Sequence, residues 1–206
     1  MNMESSATFD RLSHIMLKSK QLDENLLALL AQPPADCSER AEVAYRICMV
    51  TIEQAAALRT LASMGLVTAA ACMMRMQCET LTYAAWLAYI DEDHPNAVTH
   101  LLARLKAGGE TLERGLPSMM EMIEHVGKKA KDTASHELHN ELVRLNAISW
   151  HTAHSFVYGG LNQRIVNQES DGSAFAIPLI EHSNTLMQIT STILSKLQAH
   201  AISTAQ

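Results

Sequence analysis

Aromatic residues make up only 4% of this chain, and glycine and proline number just eight and five among its 206 residues. A β-sheet draws on Val, Tyr and Phe, and its hairpins on Gly and Pro, so both shortages argue against a sheet fold. Basic excess is also missing. The formal net charge of −6 speaks against the broad cationic footprint of a nucleic-acid or membrane-surface protein, while leaving room for a small local patch at Lys128, Lys129 and Lys131. The longest apolar stretch, Met64 to Met74, is about half of the roughly 20 residues that cross a bilayer. The opening residues MNMESSATFDRL are polar and acidic, unlike the basic region and apolar core of a secretion signal. A soluble, cytoplasmic protein is expected. Its four cysteines, Cys37, Cys48, Cys72 and Cys78, have no CxxC spacing and are expected to be reduced and buried. A Gly-rich phosphate loop and a Gly-x-Ser-x-Gly turn are both absent, so nucleotide hydrolysis, serine hydrolysis and a bound cofactor have no support.

What the chain does have is Ala, Leu, Met and Ile within a 48% hydrophobic content, a composition that favours helix. Its length suits one domain with a sizeable core. We therefore expect an all-α bundle of six to seven helices forming a single domain over residues 1–206. The first helix is expected from a cap at Ser5 or Ser6 to Leu30, with an apolar stripe of Leu12, Ile15, Met16, Leu22, Leu26 and Leu30, ended by Pro33-Pro34. Ser38, followed by Glu39 and Glu42, starts a second helix that runs to about Met64, where Gly65 breaks it, kinks it or lets a neighbour approach. Leu66 to Ile90 is apolar nearly all round and belongs at the centre. A turn at Asp91–Asn96 leads into a short helix from Pro95 to about Gly108. Another covers Pro117 to Val126, followed by a basic link at Gly127-Lys128-Lys129. Thr133 or Ser135 opens a long helix towards Tyr158, stopped by Gly159-Gly160. After a polar loop from Asn162 to Gly172, the last helix runs from about Phe175 to His200, with Pro178 in its first turn.

Two constellations could carry chemistry. Arg75 and Glu79 lie four apart on the apolar central helix, share a face and can pair. They read either as an ion pair that sets helix register or as part of a binding or active-site cluster. Arg144, Asn146, His151 and His154 share the later long helix. Seven residues separate Arg144 from His151, which places them within about 20° on one face and about 10 Å apart along it. Helical side chains lean towards the N-terminus, so Arg144 reaches away from His151. Two copies about a two-fold axis could interleave them at a dimer seam. There, His would serve as general base or acid at a ribose 2′-OH, and Arg would hold the phosphate charge, without a metal. The pairs His136-x-x-His139 and His151-x-x-His154 have metal-compatible spacing but lie about 22 Å apart on one helix. No Glu-x-x-His repeat accompanies them, so a di-iron site is not expected and solvated or capping histidines are the alternative.

The stretch Arg144-Leu-Asn-Ala-Ile-Ser-Trp-His151 resembles the HEPN superfamily (higher eukaryotes and prokaryotes nucleotide-binding), whose nuclease members carry Arg, four to six residues, then His. Leu145 stands where that family often has a polar residue. The resemblance implies a helical homodimer with metal-independent RNA cleavage, in a toxin–antitoxin or phage-defence setting. The chain also resembles bacterial helical families of unknown function with an Arg-x-x-x-Glu helix, an aromatic-Leu pair and a Ser-x-Val-His-Gly-like segment. Arg75 and Glu79, Trp86-Leu87, and Ser155 through Gly160 correspond to these, with Tyr158 in the position of the histidine. Two expectations follow: an RNA-cleaving dimer using Arg144, His151, His154, Arg75 and Glu79, or a non-catalytic interaction protein (an antitoxin, an adaptor or a degenerate HEPN scaffold) that binds a cognate protein partner.

Overall fold

The computed structural model describes residues 3–35, 37–89, 99, 103, 117–154 and 173–199. Six helices form the described architecture, with no strand among the described residues: α1 (Met3–Leu30), α2 (Glu39–Ser63), α3 (Val67–Tyr89), α4 (Met119–Lys129), α5 (Thr133–His154) and α6 (Ser173–Ala199). The all-α expectation holds. None of the described helices is long and apolar enough to cross a membrane.

Helix α3 is the hub. It packs against α2, α6, α5 and α4, as a helix apolar over most of its surface must, and Met74, Leu81, Trp86 and Leu87 are fully buried. All six helices contribute to one apolar core, from Ile15 and Leu26 in α1 to Ile193 and Leu194 in α6. Helix α1 lies mainly on α6. Its expected stripe is only partly inside: Ile15 and Leu26 are buried and Met16 is exposed. Buried polar contacts fix how these helices meet. On α6, Asn184 Oδ1 accepts from Ser19 Oγ of α1 at 2.8 Å, while the neighbouring Ser183 Oγ donates to Gln77 Oε1 of α3, also at 2.8 Å. Arg59 of α2 donates to both carboxylate oxygens of Asp23 in α1, at 2.9 and 2.7 Å. Such bonds are lost in any other register, so they favour one arrangement over its neighbours.

The helix ends follow elementary capping chemistry. Ser38 accepts from Ala41 N at the start of α2. Ser118 and Glu121 form a reciprocal capping box on α4. Gly65 ends α2: at φ 73° it lets Leu66 N donate to Leu61 O and Gly65 N to Ala62 O, the paired bonds of a Schellman motif.

Several expected details differ. Helix α1 already runs at Met3, so Ser5 and Ser6 lie inside it; neither Pro nor Gly interrupts that stretch. Gly127, Lys128 and Lys129 are the last turn of α4 instead of a link, where two cations complement the helix dipole. Asp132 caps α5 in place of Thr133 or Ser135, its Oδ1 accepting from Ser135 N and Oγ at 2.7 and 2.6 Å. Pro178 sits six residues into α6, past the first turn, where its ring removes a helical hydrogen bond. Cys48 and Cys78 are buried, but Cys37, in the link between α1 and α2, is exposed and Cys72 of α3 is half-buried. Of the expected helix after Pro95, Thr99 and Ala103 are helical and the rest lies outside the described residues, as do the loop at 162–172 and the segment containing Tyr158, Gly159 and Gly160.

A Cβ at Gly65 would meet no atom within 4 Å, so replacing it isolates the backbone penalty. Gly65→Ala is expected to lower stability by about 1–2 kcal/mol in a urea melt with an unchanged m-value. No loss of stability would mean that α2 does not end in this left-handed turn.

Candidate functional site

The polar pair on α3 forms as expected, and α5 completes it. Arg75 Nε donates to Glu79 Oε1 at 2.6 Å. Its Nη1 donates to Asn146 Oδ1 at 2.9 Å and Ser149 Oγ at 3.3 Å, and the guanidinium lies 5.1 Å from the ring centroid of Trp150. Asn146 in turn donates through Nδ2 to Met120 Sδ of α4 at 3.1 Å. Three helices therefore converge on one arginine. The side chain of Arg75 is 18% exposed and that of Glu79 43%, so the cluster is a surface feature with a half-sunken cation. Beneath it, burial pushes the Cys78 thiol above its ordinary value, which outweighs the opposing effects of Ser149 and Arg75. Burial likewise pushes Cys48 up to about 12. Neither sulfur has the thiolate character of a nucleophile.

Arg144 is elsewhere. It precedes Asn146 by two residues, a turn of about 200°, and its guanidinium is held by Glu141 Oε2 at 2.9 and 2.6 Å on its own helix. Arg144 and His151 are both exposed on the outer side of α5, away from the Arg75 cluster, and the side chain of His154 lies outside the described residues. The four residues Arg75, Glu79, Arg144 and His151 thus divide into a cluster shared by α3 and α5 and an outward-facing pair. A residue missed from sequence is His182 of α6. It is half-buried, and its pKa is pushed below the ordinary value first by burial and then by the charge of Arg144, against the opposing Glu181 and Glu141. Its isolation from any motif left no signal in the sequence; only the packing of α6 on α5 brings it near Arg144.

The remaining expected residues have structural roles. His139 stands against Gly127, where a Cβ would come within 2.6 Å of the imidazole ring, so glycine lets α4 and α5 approach closely. Trp86 and Leu87 are core residues, with the indole N–H donating to His125 Nδ1 at 3.3 Å. Among the described residues, no three His, Cys, Asp or Glu side chains converge as a metal site.

A family model described as a family of unknown function, DUF6988, matches residues 48–206. The chain belongs to that family. No curated protein and no solved structure matches the chain. Both the Arg75 cluster and the Arg144 side of α5 fall within the segment that defines DUF6988, whereas α1 and the first turns of α2 precede it.

The geometry separates the two partners of the α3 ion pair. Glu79→Ala removes a half-exposed carboxylate and is expected to destabilise by about 0.5–1 kcal/mol. Arg75→Ala strips partners from Asn146 and Ser149 and the cation from Trp150, and is expected to lose about 2–3 kcal/mol. Denaturant melts of both variants test this, and a loss of about 3 kcal/mol or more for Glu79→Ala would contradict the half-exposed placement. For His182, the folded state favours the neutral imidazole while the unfolded chain takes up a proton near pH 6.5. Stability is therefore expected to fall as pH drops from about 6.5 through the lowered folded value. His182→Gln should fall less steeply than wild type over that window in parallel melts; identical slopes would show that His182 titrates normally.

Proposed function

We propose that this chain is a non-catalytic helical interaction protein whose working surface is the face where α3, α4 and α5 meet. The observation that carries this reading is that the polar groups of the Arg75 cluster satisfy one another while apolar groups around them face solvent. Trp150 is 58% exposed, Met76 50% and Met120 45%. Trp, Met and Arg are enriched at the cores of protein–protein interfaces, and the bonds among Arg75, Asn146 and Met120 hold this surface in one shape before a partner arrives. Catalysis has less support, since Arg144 is engaged by Glu141 and no histidine joins Arg75 among its described partners.

A second reading rests on a different observation. Arg144 and His151 both reach solvent on the outer side of α5, where a second copy of the chain could interleave them. That arrangement would suit the metal-independent RNA cleavage that the HEPN resemblance implies, in a homodimer of the toxin–antitoxin or phage-defence kind. One experiment decides between the readings. Purified protein is incubated in EDTA with structured and single-stranded RNA, beside Arg144→Ala and His151→Ala variants. We expect no cleavage by any of the three proteins. Cleavage by the wild type that both substitutions abolish would falsify the interaction reading in favour of a ribonuclease.

A further inference from the structure

The core holds an amide that its neighbours serve at only one end. Gln77 of α3 is 0% exposed, and its Oε1 accepts from Ser183 Oγ of α6 at 2.8 Å. Its Nε2 is buried and meets no partner among the described residues. Met74 and Leu81, one turn before and after it on α3, are apolar and fully buried, so neither side chain can accept. Asn184, next to Ser183 on α6, turns the other way and accepts from Ser19 of α1. Rotating the Gln77 amide by half a turn does not help, because Nε2 then donates to Ser183 Oγ and Oε1 loses its donor. One pole stays unmet in either orientation, and a buried polar group without a partner costs more than a single bond returns. Two other buried polar atoms on α2, Gln54 Oε1 and Arg59 Nη1, also lack a partner among the described residues. Gln54 is only half-buried, and Asp23 beside Arg59 is 32% exposed, so both side chains lie close to solvent. Gln77 is enclosed.

We infer that Gln77 binds an internal water molecule in the core where α3 meets α6, with the water accepting from Nε2. Water fits because it both donates and accepts, and so serves whichever pole of the amide Ser183 leaves over. An anion fits less well: the cation buried between α2 and α1, Arg59, already has both carboxylate oxygens of Asp23. A buried water makes about three hydrogen bonds, and the second lone pairs of helix carbonyls can receive the two it donates. The water thus completes a polar seam that runs from Ser19 of α1 through Asn184 and Ser183 of α6 to Gln77 of α3. A seam satisfied throughout holds α6 in one rotation, whereas one with an open pole would favour apolar replacement.

The test uses the full chain, isotope-labelled, with the Gln77 side-chain amide resonances assigned by NMR. Magnetisation transfer from water to the Gln77 amide protons is expected, with opposite signs in the laboratory and rotating frames, as a long-lived bound water gives. The same transfer should persist in Ser183→Ala, which removes the one hydroxyl bonded to Gln77. Oxygen-17 relaxation dispersion should count one long-lived water fewer in Gln77→Met, a swap of similar length, with helix content unchanged. No transfer to the Gln77 amide in the wild type would overturn the proposal, and that measurement decides alone if Gln77→Met does not fold. Transfer that vanishes in Ser183→Ala would also overturn it, because the signal was then relayed by the exchanging hydroxyl. So would an equal water count in a folded Gln77→Met. A saturable shift of the Gln77 resonances on adding chloride to a chloride-free buffer would assign the place to an anion instead.

Discussion

The burial of α3 over most of its surface is the constraint to which the other helices answer. A 23-residue helix that is apolar over most of its surface is stable only if neighbours exclude water from that surface, and α2, α4, α5 and α6 cover it. Met76 is left exposed beside the partly exposed Arg75 and Glu79. The polar groups that α3 retains must then be met by whatever lies opposite. Gln77 meets Ser183 of α6. Arg75 meets Asn146 and Ser149 of α5. Tyr89, whose hydroxyl is pushed upward in pKa by burial despite a bond to Ser135, has the Lys196 ammonium 4.4 Å from its ring centroid. Each contact specifies one rotation and one axial position for a neighbouring helix, which is more than apolar packing alone requires.

This gives the Arg75 cluster two roles that are physically linked. As a structural joint it locks α5 to α3 and, through Asn146 and Met120, α4 to both. As a surface it orders the side chains around it, since a tryptophan stacked on a guanidinium and a methionine receiving an amide N–H have few other rotamers of equal energy. An exposed apolar group held still loses less entropy on association than a mobile one. The joint therefore prepares the face that we assign to a partner. The outer side of α5 lacks comparable support. Among the described residues, Arg144 is held by Glu141 one turn back, and His151 is exposed.

The α-helical class, the central place of Leu66–Ile90, and the pairing of Arg75 with Glu79 were legible in the residues, because they depend on composition, periodicity and spacing within a single helix. Helix ends were legible where a residue type has one dominant use: Ser38 as a cap held, and of the three roles open to Gly65 the structure selects the helix break. They were less so where several residues compete. Asp132, a stronger cap than the threonine beside it, took the role from Thr133, and Lys128 and Lys129 proved to finish a helix because cations are favoured in its last turn.

What only the tertiary structure decided is which side chains from different helices meet. Nothing local distinguishes Asn146 from Arg144: both are polar and lie within one turn of each other. The rotation that buries Leu142, Leu145 and Ser149 sends Asn146 towards α3 and Arg144 to the opposite flank, near His182 of α6. Sequence spacing determined that Arg144 and His151 share a face of α5; the packing of α5 determined that this face points outward, away from Arg75. A helix carries its own periodicity in its sequence, but its rotation about its axis is settled by what it packs against, and here that rotation chose which residues form the cluster.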